Sequence, residues 1–212
     1  MRINYNVFAG QSLERLAALS DGIFGVAMTL LVLNLVVPTH SPNVSLEKDL
    51  DLLRALLSLA PSLLTYFMSF LTLGIFWLGQ QTQLNHFSRS DRNLTWIHLI
   101  FLFAVTLVPF STGLLASYIT FRVALIVYWF NIFLLGVMLF ISFRYAERAQ
   151  LLKVEVTPEI RSATIRRIVI YQTLYAFGAV LCLINTYVSI AFIVIMQLNS
   201  VIAPRIYPLD RF

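Results

Sequence analysis

Residues 15–35 read RLAALSDGIFGVAMTLLVLNL. From Leu16 onward this run is apolar over roughly the 20 residues that an α-helix needs to cross a hydrocarbon core about 30 Å thick. An Arg, a Ser and an Asp stand at its leading end, and holding Asp at membrane depth costs roughly 2.5–3.5 kcal/mol on insertion scales. We therefore expect a membrane helix in which Asp21 is kept away from lipid by protein or water.

The remainder of the chain is similarly apolar. Of 212 residues, 59% are hydrophobic and 12% charged, with a mean hydropathy of +0.82, whereas an ordinary soluble domain has about 25% charged residues. Lipid offers no partner for free backbone groups, so the spans must be helical. The sequence predicts an all-α integral membrane protein, a single six-helix domain over residues 1–212. The expected spans are about 16–37, 53–79, 94–117, 121–143, 166–184 and 186–203.

Four boundaries have local signals. Residues 168–198 carry no charge and are too long for one crossing, so we expect a tight break near Asn185-Thr186. Thr157-Pro158-Glu159 is typical of a helix cap followed by proline at the first helical position, which predicts that the fifth helix starts before the membrane. Pro61 and Pro109 predict kinks in the second and third helices.

Charge predicts the orientation. With six spans, twelve of the 15 Lys and Arg residues fall on one side, and only Lys48, Arg54 and Arg122 fall on the other. The positive-inside rule then places both termini in the cytoplasm, in a multi-pass protein of the plasma membrane. The basic residues are spread over short loops rather than gathered in one stripe, so nucleic acid is not an expected partner.

Helical periodicity divides the first helix into two faces. At about 100° per residue, Ile23, Ala27 and Leu30 form one apolar stripe. Gly22, Gly25 and Thr29 form a separate small-residue face, which we expect to pack closely on a neighbour. The apolar stripe can touch lipid or core, or it can line a pore that gates by dewetting. Periodicity alone does not choose between these.

Polar residues of other spans are candidate partners for Asp21. Trp77 and Gln80 lie near the end of the second span that shares a side with Arg15 and Ser20, and His98 lies in the third span. We expect a hydrogen-bonded cluster there. The three His residues lack metal-ligand spacing and Cys182 is the only cysteine, so we predict no metal site, no cofactor and no enzyme activity.

Several of these residues resemble a known family. Arg15, Ser20-Asp21, Phe24 and the run TLLVL at 29–33 resemble the signature that opens the first helix of the transmembrane protein 175 family, lysosomal potassium channels with shorter prokaryotic homologues. Phe76-Trp77 and VPFST at 108–112 resemble further family positions. The chain departs from the family pattern at three positions: Leu19 replaces Phe, Gln80 stands where His is usual, and His98 stands where Asn is common.

The resemblance implies a six-helix subunit, four copies of which surround a central pore lined by first helices. It implies permeation by K⁺ and other monovalent cations, without the TVGYG filter, which this chain lacks. Carried over to this chain, Ile23 is the hydrophobic constriction, with Ala27 and Leu30 continuing the stripe. Val26 and Thr29 are the competing set, as a hydrophobic ring and a threonine ring. The implied structural clamp comprises Arg15, Ser20, Asp21, Trp77 and His98.

The sequence thus leads to the hypothesis of a prokaryotic, homotetrameric, potassium-permeable channel of modest selectivity with a hydrophobic gate. One alternative is a proton-coupled carrier that uses Asp21 and His98. Another is a non-conducting structural subunit whose polar cluster only fixes helix packing. An intramembrane enzyme lacks support, because no Ser/His/Asp or two-carboxylate arrangement lies within one leaflet.

Overall fold

A computed structural model describes residues 12–38 and 48–202, and apart from one isolated β-bridge between Phe87 and Leu152 its regular elements are helices. Two short 3₁₀ segments, Leu31–Asn34 and Leu181–Leu183, extend neighbouring helices. The α-helices are α1 (Leu13–Leu30), α2 (Asp49–Ser58), α3 (Ala60–His86), α4 (Arg92–Thr106), α5 (Val108–Ser117), α6 (Arg122–Arg148), α7 (Pro158–Val180) and α8 (Thr186–Ile202). The basic residues Arg2, Arg205 and Arg211, which contribute to the predicted orientation, lie outside the described residues.

Five helical units are long and apolar enough to cross a membrane, with window hydropathies between 1.2 and 2.4: Leu13–Asn34, Ala60–His86, Arg92–Ser117, Arg122–Arg148 and Pro158–Leu183. The sixth unit, α8, is apolar and has 17 residues. The predicted all-α membrane fold is confirmed, and six apolar helical units follow one another in the predicted order.

The second unit differs from its predicted position. It was expected over about 53–79, but α3 runs from Ala60 to His86, after a separate α2 that ends at Ser58. Polar residues near the C-terminal end of α3 resemble a loop in sequence. The side chain of Gln83 is instead buried and donates to the Leu139 carbonyl over 3.2 Å. Because other helices satisfy such side chains, the helix continues to His86.

The local signals at Pro109, Thr157-Pro158 and Asn185-Thr186 fall at helix boundaries in the structure, whereas the fourth span, expected to end at about 143, continues to Arg148. The third unit breaks at Leu107, where Pro109 lies in the first turn of α5. The hydroxyl of Thr157 accepts from the Ile160 amide over 3.5 Å, and α7 begins at Pro158, ahead of its apolar part. The chain reverses between Leu183 and Thr186, at the predicted break.

Two apolar clusters hold the bundle together. The larger one joins α1 and α3 through α8, and fully buried members include Phe24, Phe101 and Tyr128. The smaller one lies where α1 and α4 begin and α3 and α6 end, and includes Leu16 and Phe143. We call this the basic end, because the loops rich in Lys and Arg emerge there.

Buried hydroxyls and amides also link the helices in mid-bundle, which the sequence did not predict. Thr112 donates to Ser69 over 2.7 Å, Thr72 lies 2.9 Å from the Tyr128 hydroxyl, and Gln197 donates to Thr72 over 2.6 Å. These bonds connect α3, α5, α6 and α8. Each removes a polar group from lipid that would otherwise be costly to bury.

Candidate functional site

One face of α1 is locked into the subunit. Its buried residues Leu16, Ser20, Phe24 and Ala27 recur at helical spacing and point at α3 and α4. The ring of Phe24 lies 6.0 Å from that of Phe101, within range of a favourable aromatic pair. This face therefore fixes which side of α1 is turned outward.

A triangle of polar atoms lies on the locked face. The side-chain oxygen of Ser20 is 2.8 Å from Nε2 of His98, and the amide nitrogen of Gln80 is 3.0 Å from the former and 2.9 Å from the latter. The Ser20 hydroxyl also donates to the Leu16 carbonyl of its own helix over 2.8 Å. The triangle joins α1, α3 and α4 at one buried point.

Asp21 takes part in a second, neighbouring set of bonds. Its Oδ1 atom accepts from the Trp77 indole nitrogen over 2.8 Å and from the Gln81 amide over 2.6 Å. The residue itself remains exposed on the single subunit. Asp21 thus ties α1 to α3 while part of its carboxylate faces outward.

The structure brings together Ser20, Asp21, Trp77 and His98 but not Arg15. The Arg15 side chain is exposed, and within the described part of the chain only its backbone amide bonds a side chain, the hydroxyl of Ser12. Arg15 lies on the first turn of α1, where its guanidinium can reach water. Its predicted place in the clamp is therefore corrected.

Two amide side chains complete the cluster. Gln80 was a candidate partner, and it contacts His98 directly, so the two departures from the family pattern meet in space. Compared with the family pattern noted in the sequence, this chain carries the amide on α3 and the imidazole on α4. Gln81 was missed in sequence, although it lies four residues after Trp77 and hence on the same helical face.

The two candidate pore sets are placed differently. Ala27 is only 2% exposed in the core, so it does not face an open surface, which corrects the idea of a continuous outward stripe. Ile23 packs partly against the same core, while Leu30 is 43% exposed. Val26 is 58% exposed, and Thr29 is exposed as well.

The small-residue face of α1 does not pack on another helix of the same subunit. Around Gly22 and Gly25, no heavy atom of the described residues lies within 4 Å of the position a Cβ would take, apart from the local backbone. The neighbour expected on this face is therefore not another helix of the same subunit, because the buried stripe through Ser20 and Phe24 lies on the other side of α1. No side chain projects from this face at Gly22 and Gly25, so a helix of another molecule can approach it closely.

The polar bonds of this site hold α1 in a fixed orientation against α3 and α4. In the ranges 12–38 and 48–202, no group of three or more His, Cys, Asp or Glu residues is placed to hold a metal ion. What the site presents outward is an apolar face interrupted by the Thr29 hydroxyl. That hydroxyl donates to the Val26 carbonyl over 2.8 Å, which leaves its lone pairs as acceptors.

Comparison with known proteins supports the resemblance noted in the sequence. Residues 15–109 match the family model of the endosomal/lysosomal potassium channel TMEM175. A potassium channel of Chamaesiphon minutus is 37% identical over 105 residues, half of each chain. The endosomal/lysosomal proton channel TMEM175 of Homo sapiens is 30% identical over 106 residues, 47% of this chain and 20% of that protein.

The likeness in structure extends over nearly the whole chain. The crystal structure of a lysosomal potassium-selective channel TMEM175 homologue from Chamaesiphon minutus superposes with a TM-score of 0.76 and 26% identity, covering 92% of this chain and 98% of that one. The sequence matches to curated bacterial relatives span about half of their length.

The fold is that of a polytopic α-helical membrane protein. The matched sequence region holds α1, α3 and α4, which carry the polar clamp, a name we give to the bonded side chains of Ser20, Asp21, Trp77, Gln80, Gln81 and His98. Over residues 15–109 the chain is similar in sequence to the TMEM175 family, and over nearly its whole length it shares the fold of a bacterial TMEM175 homologue.

Proposed function

We propose that the chain forms a potassium-permeable cation channel, in which four copies surround a central pore lined by the exposed face of α1. The observation that carries this proposal is the sidedness of α1. One face is locked by buried contacts through Ser20 and Phe24, while Gly22, Val26 and Thr29 are exposed on the other.

The exposed carboxylate of Asp21 supports an oligomer. On the isolated subunit this residue faces outward at the leading end of a membrane helix, where contact with lipid is costly. Further copies of the chain packed against this face would cover it or give it water. Small residues at Gly22 and Gly25 permit such close approach.

The residues of the exposed face suit a gate and a weak cation site. Val26 is a branched apolar side chain, and a ring of four such side chains makes a constriction that dewets. Thr29 lies one turn further along, with its proton committed to the Val26 carbonyl, so its oxygen turns only lone pairs toward a lumen. A ring of such acceptors favours a cation that has shed part of its water.

The proposed pore set is therefore Val26 with Thr29, with Leu30 at its edge. Ile23 is the rival constriction, because it lies at the border between the core and the exposed face. A rotation of α1 about its axis would turn Ile23 toward the pore in place of Val26. The polar clamp opposes such rotation, so opening requires these bonds to bend or break.

The permeant ion is proposed from the relatives. The bacterial relatives from Chamaesiphon minutus and Streptomyces collinus are named potassium channels, and the animal relatives are named proton channels. We take K⁺ as the main ion, in a plasma membrane with both termini cytoplasmic, as the positive-inside rule predicts.

Recording from purified protein in planar bilayers, under a K⁺/Na⁺ gradient, tests the proposal. Stepwise currents that reverse toward the K⁺ equilibrium potential are expected. Saturable, pH-driven uptake without unitary currents would instead identify the carrier that uses Asp21 and His98. Silent bilayers containing folded tetramers would identify a structural subunit.

A further inference from the structure

A groove of about 610 Å³ runs along the subunit between α3 and α7, with α6 as its floor. It exists because α7 packs on α6 and α8 but leaves α3 uncovered on this side. Small residues shape it: Gly79 on one wall, Gly136 on the floor and Ala163 on the other wall. Its volume lies within the range of small-molecule sites.

The groove is polar at one end and apolar at the other. His86, Glu159 and Arg167 line it toward the basic end. Its deeper part is lined by Ile75, Phe76, Leu139, Ile168, Tyr171 and Tyr175. From His86 to Ile75 the wall of α3 spans about 16 Å at 1.5 Å per residue, which is close to the thickness of one leaflet. The groove is therefore polar at one end, apolar at the other and about one leaflet deep, which matches an amphiphile anchored in that leaflet.

The charge around the polar mouth is positive. The segment 144–167 contains six basic and three acidic residues: Arg144, Arg148, Lys153, Arg161, Arg166 and Arg167 against Glu147, Glu155 and Glu159. Glu147 is paired with Arg144 over 3.1 Å, and the carboxylate of Glu159 accepts from Thr157. Two of the three acids are therefore engaged within the chain.

Arg167 is the basic residue that lines the groove itself. Its guanidinium carbon lies 5.9 Å from the ring centre of Tyr171, deeper in the same groove. Arginine side chains bind phosphate through paired N–H donors, and basic pockets between membrane helices are typical sites for anionic headgroups.

We infer that this groove binds an anionic phospholipid of the leaflet at the basic end, with an acyl chain between α3 and α7 and the phosphate at Arg167. A helix from a second copy suits the groove less well, because it would bury the charged mouth. The inference does not depend on ion conduction, so it stands or falls separately from the proposed channel.

Native mass spectrometry of the purified, delipidated chain with dioleoyl phosphatidylglycerol or dioleoyl phosphatidylcholine tests the inference. Phosphatidylglycerol is expected to bind more tightly than phosphatidylcholine. Arg167→Gln is expected to weaken phosphatidylglycerol binding about fivefold, the effect of one basic residue near a lipid surface. The matched control Arg54→Gln removes an arginine of α2, at the opposite end of the bundle, and is expected to change nothing.

A second pair of variants tests the groove by shape. The Cβ position of Gly79 has only Leu139 Cδ1 nearby, at 3.9 Å, so Gly79→Phe projects into the groove and is expected to displace both lipids. Gly74→Phe on the same helix is the control, because that position has open space and does not line the groove. If Gly79→Phe does not fold, Ala163→Phe blocks the groove from the facing wall.

Equal binding of the two lipids would overturn the inference. So would retention of phosphatidylglycerol by the groove-blocking variant, or equal losses in Arg167→Gln and Arg54→Gln. Competition by free glycerol phosphate at millimolar concentration would show a small-anion site and would also overturn it.

Discussion

The side-chain oxygen of Ser20 lies 2.8 Å from Nε2 of His98, and this buried bond fixes the rotation of α1 against α4. At about 100° per residue, Phe24 and Ala27 lie within about 40° of Ser20, whereas Thr29 lies about 180° away. The clamp and the core thus share one face of the helix. The face that the proposed channel uses is the opposite one.

Ser20→Ala should lower the stability of the subunit. The change leaves the His98 and Gln80 atoms without the hydroxyl they share, at an expected cost of about 1 kcal/mol for a membrane hydrogen bond. Thermal unfolding in detergent measures it. Ser58→Ala is the matched control, since that exposed hydroxyl bonds only its own helix, at the Ala55 carbonyl. Equal melting temperatures for the two variants would contradict a stabilising triangle.

The pair Gln80 and His98 should be interchangeable as a unit but not singly. Gln80→His alone puts two imidazoles against each other, while Gln80→His with His98→Asn restores a compatible pair of groups. We expect a coupling of about 0.5–3 kcal/mol in a double-mutant cycle, as for other contacting residues. Unfolding of the four proteins measures it. Simple additivity would show that the 2.9 Å contact carries no energy.

Val26→Asn should raise single-channel conductance severalfold, because a polar ring keeps the constriction wet. Ile23→Asn distinguishes the two candidate gates. A larger increase in conductance for Ile23→Asn than for Val26→Asn would assign the gate to the stripe of Ile23, Ala27 and Leu30. Planar-bilayer recording measures both. Val188→Asn on α8, also exposed, serves as the control for a polar residue placed at a membrane surface.

Thr29→Val should reduce the preference for K⁺ over Na⁺ with little change in folding. The substitution keeps the shape but removes the oxygen whose lone pairs we assign to the lumen. Reversal potentials under bi-ionic conditions measure the preference, and Thr106→Val, an exposed threonine that also bonds its own helix, is the control. An unchanged reversal potential would exclude Thr29 from selectivity.

Gly136→Ala should destabilise the bundle, whereas Gly74→Ala should not. A Cβ at Gly136 overlaps the far end of the Gln172 side chain on α7, so Gln172 must give up its 3.5 Å bond to the Ile132 carbonyl, at a cost of about 0.5–1.5 kcal/mol. Gly74 has open space around it, so alanine there gains helix propensity of up to about 1 kcal/mol. Thermal unfolding compares the two. An unchanged melting temperature for Gly136→Ala would show that the Gln172 side chain moves aside without loss of stability.

Local patterns in the sequence were sufficient for much of the fold. Runs of apolar residues predict the helices because each span must cover the hydrocarbon core, and the signals at Thr157 and Pro109 depend only on adjacent residues. The second span was misplaced by several residues. Polar residues such as Gln80 end a span in sequence, but here other helices satisfy their hydrogen bonds.

For the candidate site, the sequence by itself determined that Asp21 needs partners and that Ser20, Trp77 and His98 could be near it. Which atoms bond, that Arg15 is excluded, and which face of α1 is exposed were decided only by the tertiary structure. Helical periodicity gives the angles between side chains but not the direction of the helix toward its neighbours. That direction comes from the packing of Phe24 and Ala27 against other helices and from the Ser20 bond to His98, contacts between residues far apart in the chain.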